Sequence, residues 1–136
     1  MLDARMHKRA VAKLYQKIAP SYDLFARLTE TKAHDRCLEL ASIVDGEAVL
    51  EVPVGTGLAF ERILCTNLSG RNEGIDLTEA MLMRAEKRAA RSGSANYRLR
   101  VGDAYDLDFP DDEFDVLVSH YLFNLLPQKD FGRVLA

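Results

Sequence analysis

The chain has 136 residues, 48% hydrophobic and 29% charged, enough for one domain with a real core and too short for two. A formal net charge of −3, with acidic and basic residues interspersed, offers no basic surface to a nucleic acid, so no such partner is expected. The N-terminus is charged rather than signal-like and the apolar runs are too short for a bilayer, so neither secretion nor stable membrane insertion is expected and the chain reads as cytoplasmic.

Residues 2–19 carry Met6, Val11, Leu14, Tyr15 and Ile18 near helical spacing among basic residues, which predicts an amphipathic helix broken at Pro20. A further helical turn is expected over 22–28. Residues 31–44 predict another helix, with Cys37, Leu38, Leu40 and Ala41 on its apolar side and Asp45-Gly46 as its stop. Cys37 and Cys65 have no metal-like spacing and sit in apolar, helix-like surroundings, which reads as two buried thiols. No metal is expected.

The periodicity then changes. Residues 48–52 form a short apolar strand that runs into Pro53-Val54-Gly55-Thr56-Gly57, followed by a helix over 58–68. A second strand is expected over 71–76, and then a helix over 78–91, opened by a Ser/Thr-type cap and closed at Ser92-Gly93. Strands over 97–101 and 114–119 follow, with no room for a full helix between them, and residues 127–136 begin another helix. Strands alternating with helices imply a parallel sheet with right-handed crossovers, an α/β fold.

The turn after the first strand needs glycine, because the backbone must bend sharply and approach a ligand without a Cβ in the way. A dinucleotide would want a third small residue for its diphosphate, and Phe60 stands in that place. Glu51 adds a carboxylate beside the turn, which disfavours a diphosphate and suits a cation. The stretch Val49-Leu50-Glu51-Val52-Pro53-Val54-Gly55-Thr56-Gly57 resembles the first motif of class I (Rossmann-like) S-adenosylmethionine-dependent methyltransferases. Pro53 stands where that family usually has its first glycine.

Further landmarks lie at strand ends. Asp76 in Gly74-Ile75-Asp76 can accept both ribose hydroxyls of a nucleoside or cap the next helix, and the family uses it for ribose. Leu77 and Met81 follow in a segment similar to one that packs beside the adenine, although Met81 also fits a plain core position. Asp103 with the Ala104 N–H resembles the family's adenine contacts, and by itself reads equally as a turn former. The acidic residues between 106 and 115 resemble the family's link into the fourth strand and read as a solvated turn.

The resemblance implies S-adenosylmethionine as cofactor, S-adenosylhomocysteine as product, and a small-molecule or lipid-like methyl acceptor. Its implied cofactor set is Tyr22, Glu51, Pro53, Gly55, Gly57, Asp76, Leu77, Met81, Asp103, Ala104 and Ser119. The N-terminal stretch through Tyr15, Tyr22 and Phe25 is similar to the leading helices of the ubiquinone/menaquinone-biosynthesis methyltransferase group, which cover the cofactor. His120 follows the fourth strand and is a candidate general base; His7 and His34 receive no role.

Residues 1–45 are thus expected to form a helical lid and 46–136 an incomplete cofactor-binding core, together one domain. Such enzymes continue through strands five to seven, whereas this sequence ends inside the predicted last helix. Strand order 3-2-1-4 would leave the fourth strand at an edge, which self-association would cover. The alternative is a non-catalytic cofactor-binding or oligomerisation module derived from such an enzyme.

Overall fold

The computed structural model describes residues 31–135, together with Ala10, Lys13, Leu14, Gln16 and Lys17, which are helical. Tyr15, Tyr22, Phe25 and the expected turn over 22–28 lie outside the described residues. Leu14, assigned to the apolar side of the first helix, is exposed.

Four strands form one parallel sheet in the order β3-β2-β1-β4. They are β1 (Ala48–Glu51), β2 (Arg71–Asp76), β3 (Tyr97–Val101) and β4 (Val116–Val118). The longer helices are α1 (Thr31–Ala41), α2 (Leu58–Thr66) and α3 (Glu79–Arg91); α4 (Leu122–Leu125), a 3-10 turn (Gln128–Asp130) and α5 (Phe131–Leu135) follow β4.

The alternation of side chains along a strand builds two cores. Val49 of β1 and Val118 of β4 point to the face covered by α2 and α3, where they meet Phe60, Ile63, Leu64, Leu82, Ala85 and Ala89. Leu50 and Val52 point the other way, to Ile75 and Leu122, with Phe109, Phe114 and Val134 partly buried against them. Phe60 is fully buried and meets Tyr97 edge-on at 6.3 Å. A glycine there would empty the centre of the first core, which is why the dinucleotide pattern fails at this position.

Several expected boundaries move, each for a local reason. The helix expected over 31–44 ends at Ala41, where Ser42 takes a left-handed φ of 50°. Its Leu40 faces solvent at 69% exposure, while Cys37, Leu38 and Ala41 pack against the core. Helix α2 stops at Thr66 rather than 68, because the Asn67 side chain turns inward to bind Gly46 N–H, the Glu47 carbonyl and Asn72. Cys65 is consequently on the open side of the helix and exposed, not buried. The fourth strand is shorter than 114–119: Phe114 leaves the ladder to stack on Phe109 at 4.7 Å and under Arg71.

Candidate functional site

The C-terminal ends of the strands gather most of the sequence-predicted site residues. The turn after β1 is held from several directions. Val54 N–H donates to the Ile75 carbonyl (2.8 Å), Gly57 N–H to the Val54 carbonyl (3.0 Å), and Arg88 Nε of α3 to the Thr56 carbonyl (3.1 Å). Arg88 is itself buried and its guanidinium lies 3.5 Å from Glu61. The peptide bond before Pro53 is cis.

The two glycines do different work. Gly55 has φ of 55° and nothing within 4 Å of the place a Cβ would occupy, so it leaves open space at the turn. Gly57, with φ of 83°, heads α2, and a Cβ on it would stand 2.8 Å from the Ala85 Cα. Its smallness lets α3 approach the turn; of the pair, Gly55 is the one that opens toward a ligand.

Asp76 ends β2 and is buried at 7% exposure. Its Oδ2 accepts the Gly55 N–H (2.9 Å) and its Oδ1 the Thr78 N–H (2.9 Å). The carboxylate therefore braces the glycine turn and orders the entry to α3. It is not the N-cap residue itself: Thr78 occupies that position, with no side-chain capping bond. Burial pushes the Asp76 carboxyl above its ordinary range against the two backbone N–H groups, which pull it down. Each oxygen retains lone-pair capacity for a further donor. Leu77 is exposed beside it, whereas Met81 is 1% exposed and belongs to the core.

Asp103 follows β3. Its Oδ1 accepts the Tyr105 N–H (3.0 Å) and its carbonyl the Asp106 N–H (2.9 Å), so it forms the turn that the sequence also allowed. Asp103 and Ala104 are half-buried, and Ala104 touches the second core. In the following acidic link Asp106, Asp108, Asp111, Asp112 and Asp115 are exposed, and Glu113 pairs with Arg71.

Between the ends of β1 and β4 lies a buried polar cluster. Glu51, the last residue of β1, is 2% exposed; its Oε1 lies 3.4 Å from His120 Nδ1. Its Oε2, and the Oγ of neighbouring Ser119, are buried without a hydrogen-bond partner among the described residues. Burial, and then the Asp76 carboxylate, push the Glu51 carboxyl well above its ordinary range. His34 of α1, given no role from the sequence, stands edge-on to His120 with ring centroids 4.4 Å apart. It is buried, and burial, then His120, then Arg62, lower it to about 4. No local signal could have found His34, since its partner lies far away along the chain. Pro53 is half-buried beside this cluster's turn, and Tyr22 lies outside the described residues.

Comparison with known proteins agrees with this arrangement. The chain is 33% identical over 131 residues to phosphatidylethanolamine N-methyltransferase of Cereibacter sphaeroides, covering 92% of this chain and 60% of that protein. It is 28% identical to demethylmenaquinone methyltransferase of Staphylococcus carnosus, covering 99% of this chain and 59% of that protein. The chain thus spans about three fifths of the length of these two relatives. The solved DhpI–SAH complex shares the fold, with a TM-score of 0.78 at 21% identity over 98% of this chain and 62% of that one. Among the described residues no helix is long and apolar enough to cross a membrane. Residues 49–136 match the family described as a methyltransferase domain, and the chain belongs to that family.

Proposed function

We propose that this chain carries the cofactor side of an S-adenosylmethionine-dependent methyltransferase, acting on a small or lipid-like acceptor and leaving S-adenosylhomocysteine. The observation that carries the reading is the Glu51 carboxylate, buried at the mouth of the glycine turn with Oε2 unpartnered among the described residues. A buried carboxylate costs several kcal/mol, of order 3–5, when it lacks a partner, and a ligand cation supplies one. S-adenosylmethionine brings an ammonium and a sulfonium, whereas a dinucleotide brings a diphosphate that the same carboxylate repels.

The residues fit this ligand in a consistent order. Glu51 and Ser119 face the amino-acid end, Gly55 with Pro53 supplies the open turn, and Gly57 sets the distance to α3. Asp76 offers its remaining lone pairs to the ribose, and Asp103 with the Ala104 N–H meets the adenine edge. Leu77, Met81 and Tyr22 complete the proposed walls. When bound, the cofactor supplies a methyl group on positively charged sulfur, and the chain's task is to orient that group and exclude water.

We retain 1–45 as a helical lid and 46–136 as the core: α1 sits against α2 and β4, with Asp35 paired to Arg62. The β4 edge, with Leu117 at 53% exposure, is covered in this reading by a second copy; a monomer in light scattering overturns that part. A cytoplasmic setting fits the two free thiols.

Calorimetric titration of S-adenosylhomocysteine into the 136-residue chain tests the central claim. Saturable binding is expected, weakened more than ~10-fold by Asp76→Ala, the loss of charge-assisted bonds to ribose being worth about 1.5–3 kcal/mol. A folded chain that does not bind overturns the reading. Tight binding without methyl transfer to any of a panel of phenols, amines and quinols would instead favour a binding module.

A further inference from the structure

We infer that Glu51 and His120 together hold one proton in the cofactor-free protein and release it when the cofactor's ammonium arrives at Glu51. The inference rests on the cofactor reading above and adds a coupling between binding and proton release. Its ground is the geometry of the pair. Glu51 Oε1 and His120 Nδ1 are 3.4 Å apart, the carboxylate is 2% exposed and the imidazole side chain 8%. At such depth the pair is stable only when its charges cancel. One shared proton achieves that, whether it resides on the imidazole or on the carboxyl, and the two groups titrate as a unit.

The surrounding groups do not supply the missing positive charge. His34, edge-on to His120, is lowered to about 4 and is neutral at neutral pH. Arg62 is engaged by Asp35. The Cys37 thiol is raised by burial and by Glu51, which keeps it neutral. Asp76 adds a second carboxylate, which makes an isolated negative charge on Glu51 costlier still. Tyr121, 6.1 Å from His34, is an uncharged phenol at this pH.

Binding then exchanges one positive charge for another. The cofactor's ammonium reaches Glu51, the shared proton leaves to the buffer, and His120 remains as a neutral imidazole against an ionised Glu51. Only an N–H or O–H bond breaks, and the local charge stays at zero. Neutral His120 is thereby in the state that can receive a proton from an acceptor that must lose one before or during methylation, such as a phenol, an enol or a protonated amine. A proton acceptor is created at the moment the methyl donor is in place. Because binding releases a proton, cofactor affinity rises with pH through the range in which the pair titrates.

The test is calorimetric titration of S-adenosylhomocysteine at pH 7 into the whole chain, in buffers that differ in ionisation enthalpy. The slope of apparent enthalpy against buffer enthalpy counts the protons. Release approaching ~1 proton per cofactor is expected, lost in Glu51→Gln and, with S-adenosylhomocysteine still bound, in His120→Asn and His120→Gln. Wild-type binding without proton release overturns the inference and leaves the cofactor reading intact. Release that persists in folded His120→Asn overturns it equally. Absence of wild-type binding overturns both readings.

Discussion

The two ends of the parallel sheet bury polar groups in opposite ways. At the N-terminal end Asn67 and Asn72 are 0% and 1% exposed. Asn67 Oδ1 accepts the Gly46 N–H, and its amide donates to the Glu47 carbonyl and to Asn72 Oδ1, each at 2.8 Å. The Asn72 amide donates to the Asn67 and Asn96 carbonyls at 3.0 Å. That network is neutral and each amide is matched. At the C-terminal end Glu51 and Asp76 are nearly as buried but charged, both raised by desolvation, and Glu51 Oε2 and Ser119 Oγ lack partners among the described residues. Burial of polar groups stabilises a fold only when every valence is met. One end meets them from within, and the other holds them open for a ligand.

The comparison breaks first at Asn67. Asn67→Ala strands the Gly46 N–H, the Glu47 carbonyl and part of Asn72 in a site without water access, and leaves a cavity. A loss of about 3–5 kcal/mol is expected in urea unfolding. The fraction that remains folded should bind S-adenosylhomocysteine within ~2-fold of wild type, since the network lies at the far end from the turn, and ~0.4 kcal/mol is the limit of that change. A large loss of affinity in folded protein would show that the two ends are not independent.

Asp76 is the intermediate case, because it serves both purposes. Its two oxygens tie Gly55 and Thr78, and the same carboxylate is proposed for the ribose. Asp76→Ala should cost about 2–3 kcal/mol of stability as well as cofactor affinity, whereas Asp76→Asn should cost about 1 kcal/mol of stability, keeping Oδ1 for Thr78. If neither variant lowers stability, the bracing role assigned to Asp76 fails.

The sheet was legible because its signals are local. β2 and β3 fall on the expected residues, and the order 3-2-1-4 follows from alternation and the handedness of the crossovers. The site was legible in outline, since Glu51, Asp76 and Asp103 each stand at or just beyond a strand end. What the sequence could not carry was tertiary. Whether Gly57 faces a ligand or Ala85, whether Cys65 is inside, and what His34 touches all depend on how helices dock. Helical periodicity names an apolar stripe but not its width, so Leu40 fell on the wrong side of it.

Glu51→Gln gives the smallest effect on stability and the sharpest contrast with Asn67. A carboxyl raised by burial keeps its proton in the folded chain to a higher pH than in the unfolded one, where it leaves near ~4.3. Between those two points the folded state binds more protons, so stability falls as pH rises. Glutamine carries no such charge and removes the slope. Unfolding by urea at pH 5 and pH 8 should therefore find the two proteins similar at the lower value and Glu51→Gln more stable by about 1 kcal/mol at the higher. The same variant should lose cofactor affinity, so that stability and binding move in opposite directions at one residue. A variant less stable than wild type at pH 8 would mean that Glu51 is kept as the ion-pair partner of His120 for the fold's sake. The two ends of the sheet would then differ in charge but not in purpose.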